Sequence, residues 1–186
     1  MQKFTEKFIG FDLDGVIIDH ARQKMRLAKK FGFRLKPEET PSESIKKILP
    51  PEILRKIQLA LYEDPEIALL APLMADAKSG IAKIKKHGPP FVLISRRRNS
   101  EIAIKLLKAH GLWPTYFNDR NAFFVINPED KNIKAGELGV THYIDDEMNI
   151  LEKLTAVKNK CLFDRHNICL GKIPYHRINS WRQLLD

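Results

Sequence analysis

Two aspartates separated by a single residue, Asp12 and Asp14, follow a short apolar run and precede Gly15. The run, residues 8–11, is typical of a buried strand in a parallel sheet. Because open α/β sheets bind ligands at the carboxyl ends of their strands, these carboxylates are candidates for a nucleophile and for ligands of a hard cation. A polar turn that ends a strand is the alternative interpretation of an Asp-x-Asp-Gly sequence taken alone.

Two more apolar runs end in polar groups of complementary chemistry. Residues 91–94 lead into the hydroxyl of Ser95, and residues 142–144 lead into the acidic pair Asp145 and Asp146. Three strand ends that carry acids or a hydroxyl favour a shared site over three unrelated turns. If the strands are parallel members of one sheet, right-handed crossovers place these ends at the same edge.

These features resemble the four motifs of the haloacid dehalogenase superfamily of phosphotransferases. Residues 12–16 resemble the first motif, Ser95 the second, Lys131 the third and Asp145-Asp146 the fourth. The motifs occur in family order and span nearly the whole chain. The resemblance implies a phosphomonoester hydrolase that depends on Mg²⁺ and forms an aspartyl-phosphate intermediate.

The resemblance also implies catalytic roles. Asp12 would attack phosphorus, and Asp14 would act as general acid and then as general base, although the residues alone also allow the reverse assignment. Ser95 would hydrogen-bond a phosphoryl oxygen, and Lys131 would neutralise charge on the phosphoryl group. Lys134 is the rival for the role of Lys131, which is preferred because it is expected just ahead of a helix.

The same resemblance implies the ligands of the cation. They are the carboxylates of Asp12 and Asp145 and the backbone carbonyl of Asp14. Asp146 would bind the cation through water or would contact its ligands without binding it directly. A dianionic phosphoryl group is repelled by a carboxylate nucleophile, and a bound Mg²⁺ offsets that repulsion.

Three arginines, residues 96–98, follow Ser95 directly. Arg96 is a candidate for binding the substrate because arginine binds phosphate well; a solvated run of charge is the alternative, and none of the three is given a catalytic role. The net charge of +9 suits an anionic partner. The basic residues are spread along the chain without interleaved aromatics, which favours a solvated basic surface over a nucleic-acid site and is compatible with attraction of a small phosphorylated substrate.

The composition is that of an ordinary globular protein. The 186 residues can form one good core with a small inserted subdomain. No apolar run approaches the roughly 20 residues of a membrane span, and the first residues lack the apolar core of a signal peptide. Cys161 and Cys169 cannot form a secreted-type disulfide framework and are interpreted as structural thiols. A cytoplasmic protein that does not associate with membranes is therefore expected.

Alternating strand and helix patterns from residue 91 onward predict a doubly wound parallel α/β sheet. Residues 1–17 and 73–186 are assigned to this Rossmann-like core, and residues 18–72, which show helix patterns and no clear strand, to a helical cap inserted after the first strand. Strands are predicted at residues 8–11, 91–95, 122–126, 141–144 and 160–163. Helices are predicted at residues 19–31, 45–49, 52–62, 72–87, 99–110, 131–138 and 147–156, and from Ser180 onward.

The end of the chain, residues 162–167 with Ser180-Trp181, is similar to the 5′-nucleotidase (deoxyribonucleotidase) branch of the superfamily. That similarity implies a nucleoside monophosphate as substrate. The chain departs from the branch at residues 95–97, where a small residue and proline are usual. A phosphatase of another small metabolite, a catalytically silent protein and a basic nucleic-acid-associated protein are the alternatives. A dehalogenase is less favoured, because that reaction uses neither an acid at Asp14 nor Mg²⁺.

Overall fold

A computed structural model describes residues 7–169 and 171–185 of the chain. At its centre is a six-stranded sheet of order β3-β2-β1-β4-β5-β6, in which every described pair of neighbours is parallel. The strands are β1 (Ile9–Phe11), β2 (Phe91–Arg96), β3 (Ala122–Val125), β4 (His142–Asp145), β5 (Asn159–Phe163) and β6 (His176–Ile178). The predicted doubly wound parallel α/β fold is confirmed.

Nine α-helices are described in the same residues, together with a 3₁₀ turn at Pro37–Glu39. The helices are α1 (Ala21–Lys30), α2 (Ser42–Ile48), α3 (Pro51–Glu63), α4 (Pro65–Ala68), α5 (Ala77–His87), α6 (Ser100–Ala109), α7 (Pro128–Glu137), α8 (Met148–Lys153) and α9 (Trp181–Leu185). None of these described helices has the length and apolar character that crossing a membrane requires.

The strands supply side chains to both faces of the sheet in alternation. Phe11, Leu93 and Ile144 belong to one buried cluster, which the helices α5, α6 and α9 cover. Ile94 and Tyr143, their neighbours along the strands, belong to a second buried cluster under α7 and α8. This period of two follows from the pleat of a strand, and it explains why the strands read as continuous apolar runs.

The strand register determines which residues meet at the carboxyl edge. Phe11 of β1 pairs with Ile144 of β4 and with Leu93 of β2. The backbone N–H of Asp12 donates to the carbonyl of Ile144 at 3.0 Å. The residues that follow β1 and end β4 are therefore neighbours. β1 is also where the strand order reverses, the place at which open α/β sheets form a ligand crevice.

The starts of two predicted helices need correction, and two further elements were not predicted. The helix predicted at residues 131–138 begins at Pro128, because Asn127 and Asp130 form a capping box and proline occupies the first turn. Lys131 therefore lies inside the helix and not ahead of it. The helix predicted at residues 72–87 begins at Ala77. The strand β6 and the helix α4 were not predicted; β6 has three residues and a single buried side chain.

The helices α1 to α4 form what we call the helical segment, residues 21–68. Leu27, Ile45, Ile57 and Leu61 pack together with smaller neighbours in a buried cluster of their own. The two ends of the segment meet beside β1, where the backbone N–H of Asp19 donates to the carbonyl of Pro72 at 2.8 Å and Met74 donates to Ile17 at 2.7 Å. The division of the chain at residues 18 and 72 stays a prediction, and its residues 1–6 lie outside the described residues.

Candidate active site

Lys131 joins two strand ends through its ammonium group. Its Nζ donates to Oδ1 of Asp12 at 2.8 Å and to Oδ2 of Asp145 at 2.7 Å. The side chain is only 2% exposed, so it is withdrawn from water. Burial alone would lower the pKa of Lys131, but the charges of Asp12 and Asp145 raise it well above its ordinary value. The side chain is therefore a permanent cation between two carboxylates.

Asp146 completes a cluster of three carboxylates. Oxygen atoms of Asp12, Asp145 and Asp146 all lie within 4.8 Å of one another. Burial raises the pKa of Asp12 to about 7, against the opposing effect of Lys131, and the charges of the neighbouring aspartates raise it further. Burial also raises the pKa of Asp146 well above its ordinary value. The ammonium of Lys131 thus faces three closely spaced carboxyl groups.

The donor set fits a small hard divalent cation. Carboxylate oxygens are the ligands that Mg²⁺ prefers, and three of them converge here on one point. Gly15 packs so closely that an added Cβ would lie 2.2 Å from Oδ2 of Asp146. The second oxygen of Asp145 accepts the backbone N–H of Glu147 at 2.9 Å. Both contacts hold the acidic pair in place.

Ser95 brings a hydroxyl with unused hydrogen-bonding capacity to the end of β2. The residue is 1% exposed, and its Oγ has no hydrogen-bond partner among the described residues. Leaving a buried hydroxyl unsatisfied costs roughly 1–3 kcal/mol. Because Ser95 lines the same cleft as Asp12, a ligand atom in the cleft is the natural partner.

Asp14 is held by His20, which the sequence analysis missed, and by Arg97, one of the three arginines to which it gave no catalytic role. Arg97 donates from Nε to Oδ2 at 2.7 Å and from Nη2 to Oδ1 at 2.6 Å. Nε2 of His20 lies 2.6 Å from the same Oδ1. Burial alone would raise the pKa of Asp14, but the charge of Arg97 and the hydrogen bond from His20 lower it below its ordinary value.

The arginine that the sequence analysis preferred lies elsewhere in the cleft. The side chain of Arg96 is 39% exposed, and its Nη2 lies 3.6 Å from Oε1 of Glu147. Arg97 is the inward-facing residue, and the centre of its guanidinium lies 4.3 Å from the ring centroid of Tyr62 on α3. The spacing is a sequence signal for this difference, because residues two apart in an extended chain lie on the same side, and Ser95 and Arg97 are both buried.

The predicted site residues line one cleft of about 360 Å³. It lies between the carboxyl edge of the sheet and the helical segment, which adds Lys24, Lys46 and Tyr62 to its lining. The predicted residues that line it are Asp12, Asp14, Ser95, Arg96, Lys131, Asp145 and Asp146. Their catalytic and binding roles stay predictions. Lys134, the rival of Lys131, forms an ion pair with Glu137 on the surface.

The helical segment is connected to the loop that carries the acidic pair. Glu43 of α2 accepts the backbone N–H of Met148, the first residue of α8, at 3.0 Å. Nζ of Lys46 lies 3.6 Å from Oε2 of Glu147. The position of α2 is thus linked directly to the residues after β4.

Near the end of the chain, Asp164 and Trp181 form hydrogen bonds with backbone groups. Asp164 accepts the backbone N–H groups of Ile168 and Cys169, each at 3.0 Å. The indole Nε1 of Trp181 donates to the carbonyl of Val16 at 2.8 Å. These contacts order loops beside the cleft, and the assignment to the nucleotidase branch stays a prediction.

Comparisons with known proteins bear on the fold. No family model and no curated protein matches the chain. It is similar to a haloacid dehalogenase (HAD) hydrolase from Bacillus subtilis described as bound to magnesium, with 15% identity, a TM-score of 0.60 and 96% of each chain covered. A HAD family hydrolase from Deinococcus radiodurans with bound phosphate and sodium is 14% identical, with a TM-score of 0.61 and coverage of 97% of this chain and 93% of the other.

A third similar structure is a dehalogenase in an intermediate complex. It is 14% identical, with a TM-score of 0.66, and the match covers 97% of this chain and 96% of the other. The similarity extends over the helical segment as well as the sheet, since nearly all of each chain is covered. The chain described here has the fold of the haloacid dehalogenase superfamily hydrolases.

Proposed function

We propose that the protein is a Mg²⁺-dependent phosphomonoester hydrolase that forms an aspartyl-phosphate on Asp12. One observation carries the proposal: the carboxylate of Asp12, bound by the buried ammonium of Lys131, lines the same cleft as the unsatisfied hydroxyl of Ser95. A nucleophile, a fixed cation and a free donor are what transfer of a phosphoryl group to a side chain requires.

In the first step, a carboxylate oxygen of Asp12 forms a bond to phosphorus while the ester P–O bond breaks. Lys131 and Ser95 bind phosphoryl oxygens and stabilise the charge that they carry in the transition state. Asp14 first binds a proton from solvent and then gives it to the departing oxygen, so that it is ionised again at the end of this step. Because Arg97 and His20 stabilise the ionised form of Asp14, leaving groups that depart readily as anions make the smallest demand on this residue.

In the second step, water attacks the phosphorus of the acyl phosphate. Asp14 accepts a proton from that water, and the bond to Asp12 breaks with release of inorganic phosphate. The ionised state in which Asp14 is held suits this role as a base directly.

Asp12, Asp145 and Asp146 would hold the Mg²⁺, and the backbone carbonyl of Asp14 remains a predicted further ligand. When bound, the ion supplies positive charge that offsets the repulsion between the carboxylate nucleophile and the phosphoryl group. The magnesium described for the similar Bacillus subtilis protein and the phosphate described for the Deinococcus radiodurans protein support this proposal.

The substrate that we propose is a small phosphorylated metabolite, which fits a cleft of about 360 Å³. A nucleoside monophosphate is the first candidate, on the similarity of residues 162–167 to the nucleotidase branch. The basic residues of the cleft lining, Lys24 and Lys46 among them, suit an anionic substrate.

The proposal is tested by assaying phosphate release in Mg²⁺ from nucleotides, sugar phosphates, small phosphoacids and an aryl phosphate. Asp12→Asn should abolish turnover and the covalent phosphoenzyme. Asp14→Asn should bind substrate but lose roughly 10²–10⁴-fold in turnover, and it should accumulate phosphoenzyme with the aryl phosphate. Labelled phosphate on Asp14, near-normal turnover by Asp12→Asn, or halide release from haloacids without phosphatase activity would each contradict the proposal.

A further inference from the structure

We propose that Arg97 is the positioning residue that holds the carboxylate of Asp14 at the cleft in the orientation that its proton transfers need. The proposal rests on the proposed function, in which Asp14 exchanges protons with the leaving group and with water. It extends that function to a residue outside the four motifs on which the resemblance is based.

The contact between the two residues fixes an orientation as well as a distance. Nε and Nη2 of Arg97 reach different oxygens of Asp14, at 2.7 and 2.6 Å. A two-point contact between a planar guanidinium and a planar carboxylate restrains rotation of the carboxylate, which a single ammonium cannot do. Asp14 directly precedes Gly15, whose φ is 84°, and the two-point contact with Arg97 sets the direction of its side chain.

Arg97 acts through Asp14 and not on the substrate. Asp14 lines the cleft and its side chain is 18% exposed, whereas Arg97 is not among the described residues that line it and its side chain is 1% exposed. An arginine that binds phosphate must reach the phosphate. Arg96, which does line the cleft, is the arginine that can do so.

The helical segment helps to hold Arg97. The ring centroid of Tyr62, from α3, lies 4.3 Å from the centre of the guanidinium, and Tyr62 itself lines the cleft. His20 contacts the same ring edge-on, with centroids 5.7 Å apart, and also hydrogen-bonds Asp14. Stacking of arginine on an aromatic ring contributes roughly 0.5–2 kcal/mol, more when water is excluded. Tyr62 therefore packs against the guanidinium that orients Asp14, and it acts on Asp14 through Arg97.

Kinetics that separate the two steps test the proposal. Arg97→Met should lower steady-state kcat by roughly 10²-fold for both an alkyl and an aryl phosphate, since base catalysis by Asp14 in the second step is worth roughly 10²–10⁴-fold. The burst of phenol from an aryl phosphate, whose leaving group needs little acid, should slow much less. Arg97→Lys, which keeps the charge and loses the two-point contact, should fall between. Arg98→Met, an exposed neighbour of the same type, is the matched control and should behave as wild type.

A double-mutant cycle gives a second readout. In an Asp14→Asn background, Arg97→Met should produce no further loss of kcat, because a residue that acts through Asp14 has nothing left to position. A phenol burst slowed as much as kcat, an effect confined to KM, or full additivity with Asp14→Asn would overturn the proposal. If Arg97→Met does not fold, Tyr62→Leu, which keeps both charges, is subjected to the same measurements and the same outcomes apply.

A measurement that does not depend on catalysis distinguishes failure of this proposal from failure of the proposed function. The Nε–H proton of Arg97 should give a slowly exchanging NMR signal that Arg97→Lys removes and that Asp14→Asn turns into a rapidly exchanging one. If wild type lacks phosphatase activity but shows this signal, the proposed function fails and the ion pair stands. If wild type is a phosphatase and the signal is insensitive to Asp14→Asn, the positioning role fails alone.

Discussion

An added Cβ on Gly15 would lie 2.2 Å from Oδ2 of Asp146, so the loop after β1 has no room for a side chain where it meets the acidic pair. Gly15 also has a φ of 84°, which costs other residues roughly 1–2 kcal/mol. Gly15→Ala should therefore lower stability and displace Asp146. Since residues behind metal ligands typically affect affinity 10–100-fold, we expect a loss of roughly that size in Mg²⁺ affinity, measured by calorimetric titration.

Gly32→Ala is the control for this variant. Gly32 has a similar φ of 86°, but an added Cβ would meet no atom within 4 Å among the described residues. The control should lose comparable stability through backbone strain and keep its Mg²⁺ affinity. Equal losses of affinity in the two variants would contradict a specific contact between Gly15 and Asp146.

Lys131→Met should destabilise the protein strongly in the absence of divalent cations. The change leaves Asp12 and Asp145 buried and facing each other without their shared cation. Removing one partner of a buried ion pair costs roughly 3–5 kcal/mol. Urea unfolding in a chelator measures the loss, and Lys134→Met, which removes a surface ion pair, should change stability by about 1 kcal/mol at most. Similar losses in both variants would show that Lys131 is not a buried partner.

Trp181→Phe should loosen the loop that follows Asp14. The indole N–H donates to the carbonyl of Val16, and the ring stacks on Phe11 with centroids 5.3 Å apart. Phenylalanine keeps the stacking but leaves a buried carbonyl without its donor, at a cost of roughly 1–3 kcal/mol. The midpoint of chemical unfolding checks this. An unchanged midpoint would mean that the carbonyl finds another partner.

Cys161 should react slowly with thiol reagents. Burial raises the pKa of its thiol to about 12, so at pH 8 roughly 10⁻⁴ of the molecules carry the reactive thiolate. The alkylation rate should rise about tenfold per pH unit between pH 8 and 10, as peptide mass spectrometry can follow. The urea-unfolded chain is the control and should react faster at pH 8. A rate that levels off below pH 10 in the folded protein would contradict the shift.

The sequence predicted the sheet well because its central strands are apolar runs that end at polar residues. β6 lacks that signal: His176 and Arg177 are exposed, and only Ile178 is buried. The strand exists because it pairs with Phe163 and its neighbours at the edge of the sheet, which is a tertiary contact. The start of α7 was available in the sequence, since Asn127-Pro128 with Asp130 is a helix-start pattern that the prediction did not use.

The part of the candidate site that lies at strand ends could be predicted from the sequence. The sequence shows that Asp12, Ser95 and Asp145 each end a strand, and parallel pairing then brings them together. It does not show which of three consecutive arginines faces inward, although the spacing from Ser95 favours Arg97. His20 and Tyr62 carry no such signal, because the contact of each with Asp14 or Arg97 arises only when the helical segment packs on the sheet.

The hydrogen bond from Met148 to Glu43 gives the helical segment a thermodynamic connection to the acidic pair. Equilibrium coupling is reciprocal: the factor by which a docked segment strengthens cation binding equals the factor by which a bound cation strengthens docking. Glu43→Ala, which removes the acceptor of this hydrogen bond, should therefore bind Mg²⁺ more weakly than wild type. By the same reciprocity, added Mg²⁺ should slow amide exchange in α2, so the helical segment itself reports binding of the ion.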